Sequence, residues 1–449
     1  MLLGQGKKIA EVVKALGVTD VTYYRWRQEF GGISPCEWNR RMFYVLVPRT
    51  RERRMPMNWT LLRGGHVFTP EDQGVADVLI VGREIGAIGP NLSEPTGIGT
   101  GRAFDISGGI VLPGLIDGHV HVMGASGLRG PATRSTDLQI EHIVSAGVTT
   151  VASPLGADSL SRSLSGLLAR AAALGCQGIT AYCYTGGWRN PVPTVTGDPQ
   201  MDVAYLDRVV GVKVAISEPL APVYTIEELC HLAHAAWTGG RLAGKRAVLH
   251  AHIGDNPAGL APIREVQRRT GIPGDRLVVT HVSRNPELWK QALAYSLEGG
   301  SIDVTATERP EEGFAEAVHP ADAIRDALAG GVAAARITLS SDGGGPYTRV
   351  DNAGKVLGQN MVGSGAILRT ICELVAGELT WGQAAAFATQ NVANLLGLDH
   401  KGRLTPGADA DVLVLSLEGV VDRVYGCGAL LVESGRALVK GSSWGSAMA

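Results

Sequence analysis

The chain has 449 residues, enough for one large domain with a satellite or for two or three ordinary domains. Its apolar content of 45% and its formal net charge of −2 indicate a packed globular protein and argue against a strongly basic, nucleic-acid-binding chain. Six scattered cysteines without a CxxC pair indicate free thiols, and we find neither a membrane-spanning run nor a signal peptide, so we expect a cytoplasmic protein without membrane partners.

Residues 1–54 differ from the rest, because eleven Lys and Arg against five Asp and Glu give them a charge of about +6. A short helix, a turn at Gly17 and a basic second helix over Asp20–Phe30 outline a helix-turn-helix. Residues 1–32 resemble the DNA-binding start of insertion-sequence transposases. The segment is either a DNA-binding arm or a vestigial stretch, left by a fusion or by an upstream start codon, with Met55 or Met57 as the working start. We favour the vestigial stretch, because no dimerising coiled coil accompanies the helices.

A first group of short predicted β segments begins at Trp59. A second group of similar segments lies near the other end of the chain, between Ala410 and Val439. Two β-rich ends that flank a long middle predict one small β-sandwich, built from residues 57–113 and 402–441.

The middle of the chain, residues 114–401, alternates apolar strand-like runs with helical patterns. The predicted strands are Val111–Ile116, Val148–Ser153, Ile179–Tyr184, Val212–Ile216, Ala247–His252, Leu277–Val282, Ile302–Thr305 and Ile337–Ser340. Eight strand–helix repeats predict an α/β fold of the (β/α)₈, TIM-like barrel class. A doubly wound open sheet is the alternative, but no Gly-rich phosphate turn follows the first strand.

Polar residues stand where five of these strands end. They are His119 and His121 on the first strand, Lys213 on the fourth, His252 on the fifth, His281 on the sixth and Asp342 on the eighth. The carboxyl ends of barrel strands meet at one mouth, so we expect these side chains to converge. Imidazole and carboxylate groups bind divalent metals, and the pattern therefore predicts a metal centre.

Lys213 has apolar neighbours on both sides, and desolvation should lower the pKa of its amine. A neutral amine can add carbon dioxide and form a carbamate that bridges two metal ions as a carboxylate would. Asp342, beside such ions, could ligate one of them, accept a proton from water and return it to a leaving nitrogen.

The segments GLIDGHVH, GVKVAIS, HAHIGD, VVTHVSRN and TLSSDG resemble the amidohydrolase superfamily, and within it the isoaspartyl dipeptidases, from about Trp59 to Gly441. The resemblance implies a homo-oligomeric enzyme with two zinc ions that hydrolyses a small amide. It assigns His119, His121 and Asp342 to one ion, His252 and His281 to the other, and carbamylated Lys213 to both. Arg284 matches a family arginine that grips a substrate carboxylate.

The substrate contacts depart from the dipeptidase pattern. Leu128 stands in place of a glutamate that binds the substrate amine, and the other replaced positions are Ala157, Trp188, Leu220 and Pro346. An ammonium without its partner in a closed site costs several kcal/mol, so a free β-aspartyl dipeptide should be a poor substrate.

We therefore expect hydrolysis of an N-acylated, cyclic or aromatic amide. A hydantoinase-like ring-opening enzyme is one alternative, and a DNA-binding regulator with an inactive barrel is another.

Overall fold

The computed structural model describes residues 58–441 except 98, 126, 129, 351–355 and 362, with side chains described outside 346–350 and 356–361. The predicted helix-turn-helix segment lies outside the described residues.

Nineteen strands and ten α-helices make up the described part of the chain. The strands are β1 Trp59–Phe68, β2 Asp72–Val81, β3 Glu84–Gly89, β4 Gly101–Asp105, β5 Ile110–Pro113, β6 Leu115–Asp117, β7 Val148–Ser153, β8 Thr180–Gly186, β9 Val209–Ile216, β10 Val248–Ile253, β11 Leu277–Thr280, β12 Ser301–Thr305, β13 Ile337–Ser340, β14 Pro346–Val350, β15 Val356–Met361, β16 Val412–Leu415, β17 Val421–Gly426, β18 Ala429–Glu433 and β19 Arg436–Ala437. The helices are α1 Ile140–Val144, α2 Leu164–Cys176, α3 Pro199–Tyr205, α4 Ile226–Leu242, α5 Ala261–Thr270, α6 Pro286–Leu297, α7 Pro320–Ala329, α8 Gly365–Ala376, α9 Trp381–Ala386 and α10 Gln390–Leu396.

Eight parallel strands, β6 to β13, form one sheet in chain order with helices between them. Backbone bonds just beyond the first and last strands bring its two edges together, because the Asp342 amide donates to His119 O at 2.9 Å and the His121 amide donates to Gly343 O at 2.7 Å. The predicted TIM-like barrel is confirmed, and these two bonds lie at the carboxyl ends of its strands.

The predicted first strand, Val111–Ile116, was wrong as a single element. The chain breaks at Gly114, where β5 leaves the second sheet and β6 enters the barrel. A Cβ atom at Gly114 would lie 2.3 Å from the Thr149 hydroxyl oxygen, so the crossing between the two sheets requires a glycine. An apolar run carries no signal for such a change of sheet.

The second sheet takes strands from both ends of the described chain, as predicted, in the order β19-β18-β17-β16-β5-β1-β2-β3 with β4 beside β1. It curls on itself, since a Cβ atom at Gly428, after β17, would lie 2.0 Å from Gly82 O, after β2. Leu62, Val78 and Val412 belong to one buried cluster inside this curl. β4 had not been predicted, and the predicted final strand at Leu438–Val439 lies at Arg436–Ala437 instead.

Two polar helix starts fix the loops at the barrel mouth. Thr225 and Glu228 form a capping box at the start of α4, and the Asn285 side chain accepts a hydrogen bond from the Leu288 amide at the start of α6. The second cap holds the residue before it, Arg284, at the end of a short loop after β11. Over the described residues, none of the helices is long and apolar enough to cross a membrane.

Candidate metal centre and substrate cavity

The structure brings the residues of the first predicted metal site together. His121 Nε2 lies 3.1 Å from Asp342 Oδ1, and His119 Nε2 lies 3.6 Å from the same oxygen. Potential ligand atoms of these three residues lie within 4.8 Å of one another. This donor set, two imidazoles and a carboxylate on one side of a cavity, fits a divalent ion such as zinc.

The second predicted pair, His252 and His281, lies beside the first, with ring centroids 4.4 Å apart. His252 Nε2 is buried and has no hydrogen-bond partner among the described residues, which leaves its lone pair for a ligand. His281 Nδ1 lies 3.0 Å from the Thr305 hydroxyl, which leaves Nε2 for a metal. Burial holds the pKa of His252 well below its ordinary value, so the ring is neutral, as a metal ligand must be.

Two of these residues hold unusual backbone conformations. His281 has a φ of 65° and Asp342 a φ of 53°, both in the left-handed region. Such a conformation costs a side-chain-bearing residue about 1–3 kcal/mol and occurs most often where function requires it. Both residues come directly after or close to the end of a strand, and the turn aims their side chains into the mouth.

Lys213 lies inside the barrel on β9, and its Nζ is 3.4 Å from His119 Nε2. Its side chain is buried, and this burial lowers the pKa of its amine to about 7, although Asp342 and Asp303 act in the opposite direction. A substantial fraction of the amine is therefore neutral near pH 7.

His250, two residues before His252, lies deeper in the barrel. Its ring stacks on Tyr184 at 4.9 Å and meets His119 edge-on at 5.0 Å. With His119 and Asp303 it forms a second group of potential ligand atoms within 4.8 Å. The oxygens of Asp303 already accept hydrogen bonds from three hydroxyl groups, those of Ser340, Thr338 and Thr280. We therefore interpret His250 as a core residue beneath the site.

A cavity of about 290 Å³ opens over these residues. Leu128, Ala157, Trp188 and Arg284 line it, and the Trp188 ring meets the His252 ring at 4.7 Å. Leu220 is 64% exposed and is not among the described residues that line the cavity. Pro346 falls where side chains are not described.

Three lining residues were not found from the sequence: Glu218, Glu308 and Phe314. Glu218 and Glu308 come two and three residues after the ends of β9 and β12. His281 stands directly after its strand, whereas the two glutamates lie further into their loops, where a glutamate is ordinarily exposed, so the strand-end pattern did not single them out. Phe314 lies in a loop and carried no comparable signal.

Glu308 pairs with Arg284 at 2.9 Å and approaches His281 Nδ1 at 3.1 Å, both through Oε1. Burial opposes its ionisation, but the electrostatic effects and hydrogen bonds of Arg284 and His281 together outweigh burial and hold the pKa of Glu308 below its ordinary value. The arginine expected to grip a substrate carboxylate thus already has a carboxylate partner.

The amidohydrolase family model matches residues 110–431. Among solved structures, the chain is similar to the β-aspartyl dipeptidase of Fervidobacterium islandicum AW-1 in complex with β-Asp-Leu dipeptide, with 31% identity, a TM-score of 0.77, and coverage of 86% of this chain and 100% of that one. The dihydropyrimidinase of Brevibacillus agri NCHU1002 has the same fold, at 17% identity and a TM-score of 0.60 over 85% of this chain and 96% of that one.

Curated relatives match over short segments only. The dihydroorotase of Solibacter usitatus (strain Ellin6076) is 44% identical over 64 residues, 14% of each chain. The dihydropyrimidinase of Rattus norvegicus is 40% identical over 68 residues, 15% of this chain and 13% of that one. The chain thus matches about an eighth to a seventh of the length of these two relatives.

Proposed function

The chain belongs to the amidohydrolase family and is a metal-dependent hydrolase, and from this premise we propose that it hydrolyses an N-acylated, cyclic or aromatic amide at a two-metal centre in the barrel mouth. The observation that carries the proposal is the convergence of His119, His121 and Asp342 with His252 and His281 at one cavity.

Six side chains would hold the metal pair. His119, His121 and Asp342 would hold one ion and His252 and His281 the other, and a carbamate on Lys213 would add a carboxylate-like ligand. The low pKa of Lys213 supports the carbamate, because only a neutral amine adds carbon dioxide. Two divalent ions, zinc in our proposal, polarise a carbonyl group and lower the pKa of water when they are bound.

The carboxylate of Asp342 moves the proton. Burial raises its pKa, but the hydrogen bond with His121 and the electrostatic effects of His281, His121 and Lys213 together outweigh burial and hold the pKa below the ordinary value, so the group is ionised at neutral pH. It accepts a proton from the attacking water and delivers it to the nitrogen that leaves, which completes hydrolysis of the C–N bond.

The apolar part of the cavity supports a substrate without a free α-amine at Leu128. Leu128, Ala157, Trp188 and Phe314 offer no charge there. The similar dipeptidase was solved with β-Asp-Leu, whose ammonium would meet leucine in this chain. A ring-opening reaction on a cyclic amide is the second candidate, favoured by the segments similar to dihydroorotase and dihydropyrimidinase.

A hydrolysis screen of the zinc-loaded full chain tests the proposal. We expect turnover of N-acylated, aromatic or cyclic amides, with a hydantoin and a dihydropyrimidine as the cyclic members, and little turnover of β-Asp-Leu. Removal of metal with a chelator should abolish activity, and added zinc should restore it.

Leu128→Glu should raise kcat/KM for β-Asp-Leu by about tenfold or more, because it restores a charged partner for the ammonium. Leu160→Glu, an equally apolar-to-acidic change at a position that is 83% exposed and away from the cavity, is the control. Failure of the metal-loaded protein to hydrolyse any member of the panel, or a clear preference for β-Asp-Leu, would contradict the proposal.

A further inference from the structure

One wall of the cavity is acidic, and its carboxylates already contact Arg284. Arg284 Nη2 is 2.9 Å from Glu308 Oε1, and Arg284 Nη1 is 3.5 Å from Glu218 Oε2. The arginine side chain is 15% exposed, so little of its guanidinium remains open to a substrate. Among the described residues that line the cavity, this is the one Arg.

The charges of this wall do not cancel. Two lining carboxylates stand against one guanidinium, and Asp255, 3.8 Å from Arg284 and 64% exposed, adds a third carboxylate at the rim. A substrate carboxylate that approached Arg284 would come close to Glu218 and Glu308. Like charges so near one another in a partly desolvated site repel, and the wall therefore disfavours the binding of anions.

Glu308 also has a free acceptor. Its Oε1 contacts both Arg284 and His281, whereas its Oε2 is buried with no hydrogen-bond partner among the described residues. The side chain is only 3% exposed, although the residue lines the cavity. A buried carboxylate oxygen without a donor is costly, and a ligand that brings an N–H group would satisfy it.

We propose that Glu308, together with Glu218, forms a subsite for a cationic group of the substrate, a primary ammonium or a guanidinium. The inference rests on the proposed amide hydrolysis at this cavity and names its substrate class: an amide with a cation on the Glu308 side and an apolar or aromatic group toward Trp188 and Phe314. Arg284 is then a positioning residue that holds the two glutamates in place.

The acidic wall gives a second reason to expect that this chain hydrolyses β-aspartyl dipeptides poorly. A β-aspartyl dipeptide carries two carboxylates, and neither finds an unpaired cation on this wall. Leu128 offers no partner to the dipeptide's ammonium, and Arg284 is already paired with two glutamates. Both features should therefore weaken the binding of a β-aspartyl dipeptide.

A matched series of anilides tests the subsite. The probes are the 4-nitroanilides of 4-aminobutanoic, pentanoic and succinic acids, which have chains of similar length that end in an ammonium, a methyl and a carboxylate. With the zinc-loaded full chain we expect kcat/KM to fall in that order, by about tenfold or more between the first and the last.

Glu308→Gln should reduce the kcat/KM ratio between the ammonium and carboxylate probes severalfold, because it keeps the shape of the side chain, removes one negative charge and leaves Arg284 with Glu218 and Asp255 as its remaining carboxylate neighbours. Glu311→Gln, a carboxylate of the same loop whose side chain is 54% exposed and which does not line the cavity, is the matched control and should leave the order unchanged. Zinc content is measured for each variant, since Glu308 also contacts His281.

Two results would overturn the proposal. One is a wild-type preference for the succinyl probe that Arg284→Gln abolishes, which would make Arg284 a carboxylate clamp. The other is a Glu308→Gln variant that keeps its zinc and the wild-type kcat/KM ratio between the ammonium and carboxylate probes, which would show that the Glu308 carboxylate does not select for a cation.

Binding separates this inference from the proposed function. If no anilide is hydrolysed, calorimetric titration with butylamine, pentan-1-ol and butyrate still compares the affinity of the cavity for a cationic, a neutral and an anionic ligand. Tighter binding of the amine that Glu308→Gln weakens supports the acidic subsite even where amide hydrolysis has failed. Equal or tighter binding of butyrate contradicts the subsite whatever the outcome of the hydrolysis screen.

Discussion

Two lysines, one at the barrel mouth and one where the barrel meets the curled sheet, are almost equally buried, at 1% exposure for Lys213 and 3% for Lys401. Lys401 Nζ lies 2.8 Å from Asp409 Oδ2 and 2.8 Å from Asp411 Oδ2. Among the described residues, Lys213 Nζ has no carboxylate within ion-pair distance and contacts only the neutral ring of His119. The same residue type is thus buried in two opposite electrostatic settings.

The two lysines differ in the direction in which their surroundings shift the pKa of the amine. Burial lowers the pKa of Lys213 to about 7, whereas at Lys401 the two aspartates outweigh burial and raise the pKa. Asp411 also lies 3.4 Å from the Thr150 hydroxyl on β7, so the Lys401 cluster ties the barrel to the second sheet. Carboxylates hold Lys401 in its charged form, whereas burial without them favours the neutral amine at Lys213.

The largest expected effect is on activity. Lys213→Ala should lower kcat/KM by about a thousandfold or more and remove bound metal, because a proposed metal ligand is lost. A short-chain carboxylic acid should restore part of the activity and part of the metal content, because its carboxylate can take the place of the lost ligand. Metal analysis and turnover of the best amide measure the effect, and Lys290→Ala, on the exposed face of α6, is the control. Full activity in Lys213→Ala would contradict the proposed role of Lys213 as a metal ligand.

The second effect is on stability. Lys401→Met should lower the free energy of unfolding by about 3–5 kcal/mol, because it leaves two aspartates without their cation, one of them buried. Denaturant unfolding measures the loss. Activity per folded molecule should stay near wild type, and a variant that folds normally but loses metal would show that the two lysines do not have separate roles.

The smallest effect is on the pH dependence of stability in metal-free protein without carbon dioxide. Between about pH 7 and pH 10 the unfolded chain keeps a proton on Lys213 that the folded chain has released, so the free energy of unfolding should rise with pH, by at most about 1.4 kcal/mol per pH unit. Lys213→Met should reduce this rise and leave the smaller contribution of Lys245, whose pKa burial lowers to about 8.

Lys401 is the control, because its pKa is raised. Its contribution to the free energy of unfolding is fully present between about pH 7 and pH 10 and is lost only above about pH 10. Lys401→Met should therefore leave the slope unchanged, and a loss of slope in that variant instead would contradict the assigned pKa directions.

The residues of the proposed metal centre were predictable because each is a polar exception at the end of an apolar run. Strand ends in a barrel share one mouth, so chain order alone predicts that His119, Lys213 and Asp342 meet. The crossing at Gly114 was not predictable, because Val111–Ile116 is equally apolar on both sides of the break. The charged wall was missed for another reason: a glutamate in a loop is ordinarily exposed, and nothing local marks Glu308 as buried.

By itself, the sequence determined the barrel, the second sheet made from both ends of the described chain, and the histidines, lysine and aspartate that meet at the mouth. These properties follow from periodicity and from polar residues at fixed places in strands, which are local. Only the tertiary structure decided which charges face one another, such as Glu308 against Arg284 and Asp411 against Lys401. Coulomb interactions depend on distance through space and on burial, and neither is written in the order of residues along the chain.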